Sequence, residues 1–361
     1  MKYVDEFRNP RVAREMLSLI AQRSTRDVCL MEFCGGHTHA IFKFGLRQLL
    51  PGTVTLLSGP GCPVCVTSSS DLDRAIAMAH LPGVILATFG DMLRVPSSQG
   101  SLQDAKAAGA DVRIVYSVLD ALAIARDNPS RSLIFLGIGF ETTAPTVAAA
   151  VLRAADERLH NFFVLSLHKL TPPATKAILD GGDVRLSGII GPGHVSTIIG
   201  SDAWQFLPQA YAMPCAIAGF EALDILQAIY SLVDMIESDQ PAVQNTYARC
   251  VQPGGNAVAR GIMKRVFEVG AADWRGLGAL ADSGLWLRDE FSAFDALRRF
   301  QVEVEPGGEP AGCRCGEVLR GLVRPDECPL FNGVCNPSNP IGPCMVSGEG
   351  ACAAYAQYGA A

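Results

Sequence analysis

Short apolar runs, broken by polar and glycine-rich loops, recur through the first two thirds of the chain. They fall at 28–33, 54–57, 84–89, 112–116, 132–136, 162–167 and 186–190. Continuous rather than alternating, they read as strands buried on both faces, as in a parallel sheet. Between them the period lengthens. Val12, Met16, Leu17 and Ile20 form a stripe in a helix predicted over 9–22, with Pro10 in its first turn. Phe42, Leu46 and Leu49 fall on one face of a second helix, and Ala75, Ile76 and Ala79 point inward from a third that opens near Ser70. A further helix runs through Ala154. Strand, loop and helix in repetition are the signature of βα units.

Near Gln240 the pattern changes. Helical segments at 257–268 and 291–300 precede a tail rich in Gly, Pro and Cys. The expected division is a first α/β lobe with its N-terminal helix (1–125), a second α/β lobe (126–240) and a helical, Cys-rich domain (241–361). The tail would be held together by metal rather than by a core. Gly191-Pro192-Gly193-His194 echoes Gly59-Pro60-Gly61-Cys62 and reads as a weak internal repeat of two lobes. Ligands of such sheets bind beyond the carboxyl ends of the strands, so the lobes are expected to face one another across a cleft.

Composition narrows the function. The 361 residues are 49% hydrophobic and 7% aromatic, enough for a large core. The formal charge is −6 and no basic block or basic-aromatic stretch occurs, which argues against nucleic acid. No apolar run is long enough to span a bilayer, and residues 1–10 are polar, unlike a signal peptide. A cytoplasmic location is expected. The chain has 12 cysteines; in that compartment they point to metal or redox work rather than structural disulfides.

Cys34 stands where the 28–33 strand gives way to a helix, with Gly35 and Gly36 supplying an open turn. The field of a helix N-terminus favours a thiolate there. His37 and His39, in the same turn, offer ligands, proton transfer or hydrogen bonds; the plainer reading is a buried thiol beside two surface histidines. Cys62 and Cys65 form a C-x-x-C that can close a disulfide, bind a metal or deliver two electrons. With no second C-x-x-C, redox or iron chemistry outweighs structural zinc.

In the tail, Cys313, Cys328, Cys335 and Cys352 are separated by 14, 6 and 16 residues, a set of four thiolates suited to an iron–sulfur cubane. Cys315 can replace Cys313 on spacing alone, Cys344 is a spare, and a zinc knuckle is the rival. Glu141, in Gly139-Phe140-Glu141-Thr142-Thr143, is an acid/base candidate or a helix cap with its threonines. His168, Lys169 and His194 occupy equivalent strand ends, as loop or site residues. Cys29 and Cys215 read as core thiols, and Cys250 is unassigned. No phosphate loop or complete dinucleotide fingerprint is present.

Together, Cys34-Gly35-Gly36-His37-Thr38-His39, Gly59-Pro60-Gly61-Cys62-Pro63-Val64-Cys65, Gly139-Phe140-Glu141-Thr142-Thr143 and the tail cysteines resemble the HypD family of hydrogenase maturation factors over essentially the whole chain. The resemblance implies two Rossmann-like α/β lobes and a small C-terminal domain with a 4Fe–4S cluster. It implies work with a HypC-type small chaperone and a HypE-type cyanide donor. The pair with HypC would carry iron while it acquires two cyanides and one carbon monoxide. By position, Cys34 would hold the nascent iron, Cys62 and Cys65 would be redox-active, and Cys313, Cys328, Cys335 and Cys352 would hold the cluster. The competing classes are an iron–sulfur-dependent thiol–disulfide oxidoreductase and a zinc-bound scaffold.

Overall fold

The computed structural model describes residues 5–305 and 307–359; the first four residues of the polar N-terminal stretch, Pro306 and the last two of the tail lie outside that range. Eleven strands are present among the described residues: β1 (Val28–Glu32), β2 (Val54–Ser58), β3 (Val84–Thr88), β4 (Val112–Ile114), β5 (Ser132–Gly137), β6 (Phe162–Ser166), β7 (Gly188–Pro192), β8 (Cys215–Ala218), β9 (Val243–Asn245), β10 (Phe267–Trp274) and β11 (Gly278–Leu287). Two parallel sheets run in the orders β2-β1-β7-β8-β9 and β4-β3-β5-β6, and β10 pairs with β11 as an antiparallel hairpin. The α/β class read from the sequence holds.

The continuous apolar runs have the expected cause. Val84 and Leu86 of β3 and Ile134 and Leu136 of β5 enter one core, while Ile85, Ala87, Leu133 and Phe135 enter another on the opposite face. The first of these cores also takes Met31, Ile189 and Ile217 from the other sheet, so it is shared between the sheets. A third core lies under the helices Pro10–Arg23 and Ala222–Glu237. Asn9 caps the first of these helices by accepting from the N–H groups of Arg11 and Val12, as Asn does at that position.

Several expectations are corrected. A boundary at 125/126 does not separate the sheets: the chain leaves the first sheet after β2, builds the whole of the second, and returns at β7 to pair with β1. Strand pairing is non-local, and sequence order does not report it. The two Gly-Pro-Gly loops are therefore not equivalents in two lobes, because β2 and β7 flank β1 in one sheet. Nor is 241–361 one unit. The helix foreseen at 257–268 stops at Val266, and Phe267, Leu285 and Leu287 of the hairpin join the core of the second sheet. The Cys-rich segment contributes Cys315, Leu319 and Met345 to the shared core, so it has apolar anchorage of its own. The helix foreseen at 291–300 is a 3-10 turn, Asp289–Phe294, and a short helix, Ala296–Arg299; Asp295 breaks the run by turning its carboxylate to the N–H of Leu297. The second predicted helix likewise breaks, at Gly45 (φ 63°), which leaves Leu49 exposed while Phe42 and Leu46 are buried.

Candidate metal and redox site

Because β1 lies between β2 and β7, the loops that leave their carboxyl ends emerge side by side. They carry Cys34, the Cys62–Cys65 segment and His194. The first two are tied by backbone bonds: Gly59 N–H donates to Glu32 O at 2.8 Å and Gly35 N–H to Gly61 O at 3.0 Å. A Cβ on Gly61 would lie 2.4 Å from the nitrogen of Cys34, so only glycine allows this approach.

Cys34 caps the helix Gly35–Lys43 and is half-buried. Its N–H donates to Glu32 Oε2 at 2.9 Å, and the Thr38 hydroxyl donates to Oε1. Burial pushes the Glu32 carboxyl up to about 8. Burial, then Glu349 and Glu32, push the Cys34 thiol up to about 12. Desolvation, the largest of these causes, opposes the helix field that the sequence suggested. A bound cation would supply the missing charge.

His37 is fully buried and neutral. Burial pulls it down to about 4, and its Nε2–H is shared between Ala218 O (3.1 Å) and Gly219 O (3.0 Å). Its Nδ1 has no partner among the described residues. The ring stacks on Phe220 at 4.6 Å, and His194 stacks on the same Phe220 at 3.8 Å. Through Nε2, His37 ties the helix turn to the 218–219 loop. His39 meets Tyr358 edge-on at 5.4 Å, a packing contact.

Cys62 and Cys65 are buried and joined in a disulfide, with Cα atoms 5.2 Å apart. Of the three options the spacing allowed, the closed bridge is the one present. Cys65 Sγ lies 3.9 Å from the carbonyl oxygen of Pro343, in the Cys-rich segment.

In that segment Cys313, Cys315, Cys328, Cys335, Cys344 and Cys352 line one narrow cavity. The N–H of Ile341 points to Cys335 Sγ at 3.3 Å, and Cys315 Sγ lies 2.8 Å from Cys344 Sγ. Burial, then the neighbouring Cys315, push Cys313 up to about 12. Among the described residues no three His, Cys, Asp or Glu side chains are gathered for a single ion. A cubane asks for something else, four thiols spread around a cage, and this donor set fits it. The segment seats on the Cys34 helix: Tyr355 meets Phe42 at 4.4 Å, and a Cβ on Gly35 would lie 2.5 Å from that of Glu349.

Glu141 sits apart, at the end of β5 in the other sheet. It is buried and accepts the N–H of Thr171 at 2.9 Å, and the Thr171 hydroxyl at 3.2 Å, at the start of the helix Thr171–Gly181. It therefore caps the following helix, not its own, and Thr142 and Thr143 are not its partners. Burial pushes its carboxyl up to about 7. His168 and Lys169 are buried at the end of β6; Lys169 Nζ donates to Asp273 O at 2.6 Å. Cys215 is a core thiol, Cys29 is half-buried in β1, and Cys250 is exposed.

Sequence reasoning missed Glu32, Phe220 and Glu349. Only Glu32 left a signal, a carboxylate closing an otherwise apolar strand; the other two arrive from distant parts of the chain.

The fold and site define a class: a two-sheet α/β scaffold that gathers cysteine chemistry at the carboxyl edge of one sheet. The HypD family, described as hydrogenase formation hypA family, matches residues 11–359. A hydrogenase maturation factor HypD of Azotobacter vinelandii is 50% identical, covering 99% of this chain and 97% of the relative. The hydrogenase expression/formation protein HupD of Azotobacter chroococcum is 49% identical, with 99% and 97% covered. The Escherichia coli hydrogenase maturation factor HypD is 44% identical, with 99% and 98% covered. The chain belongs to the HypD family of hydrogenase maturation factors. No helix among the described residues is long and apolar enough to cross a membrane.

Proposed function

We propose that this protein is a cytoplasmic scaffold and redox centre for assembling the iron unit of nickel–iron hydrogenase. Cys34 holds the cargo iron while it receives two cyanides and one carbon monoxide, in complex with a HypC-type chaperone and with cyanide from a HypE-type donor. A low-spin, electron-rich iron of this kind prefers a thiolate ligand. The carrying observation is convergence: the Cys34 loop is locked to the disulfide loop through Gly61, and the Cys-rich segment seats on the Cys34 helix.

Cys313, Cys328, Cys335 and Cys352 would hold a 4Fe–4S cluster, with Cys315 the alternative to Cys313 in the same cavity. When bound, such a cluster supplies electrons singly. Cys62 and Cys65 store two as a dithiol or release two as a disulfide. Glu32 holds the Cys34 backbone, and His37 fixes the helix turn to the 218–219 loop.

The test is the infrared spectrum of the anaerobically purified complex with the small chaperone. Cyanide and carbonyl stretches are expected in the wild type and absent in Cys34→Ala, whose fold persists because no core contact depends on that sulfur. Bands of undiminished intensity in Cys34→Ala would overturn the reading. A second reading, a thiol–disulfide oxidoreductase, draws on the closed Cys62–Cys65 bridge; it requires wild-type protein without either band.

A further inference from the structure

At the turn of the β10–β11 hairpin a cation is driven into the protein. The side chain of Arg275 is wholly buried. Its backbone N–H donates to Val66 O at 2.9 Å and its Nε–H to Thr67 O at 3.0 Å, the two residues that directly follow Cys65. Thr67 also bridges to Trp274 in antiparallel fashion, so the hairpin is stitched to this segment. Nη1 pairs with Glu309, whose own side chain is 44% exposed. Nη2 is buried and has no partner among the described residues. On the other side the turn touches the Cys-rich segment: a Cβ on Gly276 would lie 2.6 Å from the Cα of Gly316.

A buried guanidinium with only one partly exposed counterion and one bare NH2 group is costly unless negative charge appears nearby. The disulfide is such a source. Reduction by a dithiol breaks the Cys62–Cys65 bond: two electrons enter the pair, one proton stays as a thiol, the other goes to solvent, and the second sulfur is left as thiolate. The reductant leaves as its own disulfide. We propose that Arg275 is a positioning residue that sets the redox poise of Cys62–Cys65, stabilising the reduced pair through its buried charge. This rests on the redox role proposed above for that pair.

The test uses the full-length, cluster-loaded protein without its partners. It is equilibrated in dithiothreitol buffers of graded oxidised-to-reduced ratio, approached from both sides. Differential alkylation and mass spectrometry of the Cys62–Cys65 peptide give the fraction reduced. Arg275→Met is expected to make the pair at least tenfold harder to reduce, about 30 mV more negative. Arg275→Lys, which keeps the charge, is expected to stay within about threefold of wild type. Glu309→Gln, at a half-exposed site, removes the counterion and is expected to shift the midpoint the opposite way; it keeps the question decidable if Arg275→Met fails to fold. A midpoint unchanged in both Arg275→Met and Glu309→Gln would overturn this proposal alone. A wild-type pair that never opens in any buffer would overturn the redox role with it.

Discussion

An alanine at position 61 would press its methyl group into the backbone of Cys34, with 2.4 Å to the nitrogen and 2.5 Å to the Cα. Backbone cannot yield as a flexible side chain does, so the two loops must separate. Gly61→Ala is expected to lose more than about 2 kcal/mol of stability in urea unfolding. Gly52→Ala, where nothing lies within 4 Å of the added carbon, is the matched control and should stay within about 0.5 kcal/mol. Equal losses at the two positions would contradict the close approach. At this same scale the Cys34 thiol shows how environment overrides motif. Burial, then Glu349 and Glu32, push it up against whatever the helix start offers.

Among the elements, the helix Thr171–Gly181 owes its first turn to a carboxylate from a different strand. Native Glu141 holds its proton up to about 7, against an ordinary value of 4.5, because burial penalises the charge. The folded state therefore binds more protons than the unfolded chain across that window, and stability falls as pH rises through it. Glutamine keeps an acceptor for the Thr171 N–H and does not titrate. The stability of wild type relative to Glu141→Gln is expected to decline by on the order of 2–3 kcal/mol between about pH 4.5 and 7.5. Urea unfolding at several pH values reads this difference, and a flat difference would show that Glu141 stays charged in the fold. The hairpin is the other element with consequences. It seals the far face of the second sheet and carries Arg275 to the disulfide segment.

For the whole molecule, the seating of the Cys-rich segment on the Cys34 helix makes the two sites unequal. Cys335→Ala is expected to abolish the visible absorption of the proposed cluster and to raise hydrogen exchange both in 313–359 and in the Gly35–Lys43 helix, which loses the packing of Tyr355 on Phe42. Cys34→Ala is expected to leave the absorption untouched. Zinc in place of iron and sulfide in the anaerobic protein would defeat the cluster assignment.

Seven of the eleven strands among the described residues, the two-faced burial of β3, β5 and β6, and the cysteine-bearing loops were legible in the sequence, because each is encoded by residues a few positions apart. The apolar run at 28–33 and the turn after it place Cys34 at a strand end whatever the rest of the chain does. The tail's cysteine spacing likewise picks out thiols that share one cavity. What the tertiary structure alone decided was which ends meet. Pairing of β7 with β1 put two Gly-Pro-Gly loops on either side of Cys34 instead of in separate lobes. The hairpin at 267–287, rich in Gly, Ala and Asp, carries no strong period and is fixed by the core it covers. The environment of Cys34 is set by its burial and then by Glu349, a residue far along the chain that no local pattern connects to it. Periodicity is set by neighbours along the chain, whereas pairing, burial and electrostatics are set by neighbours in space.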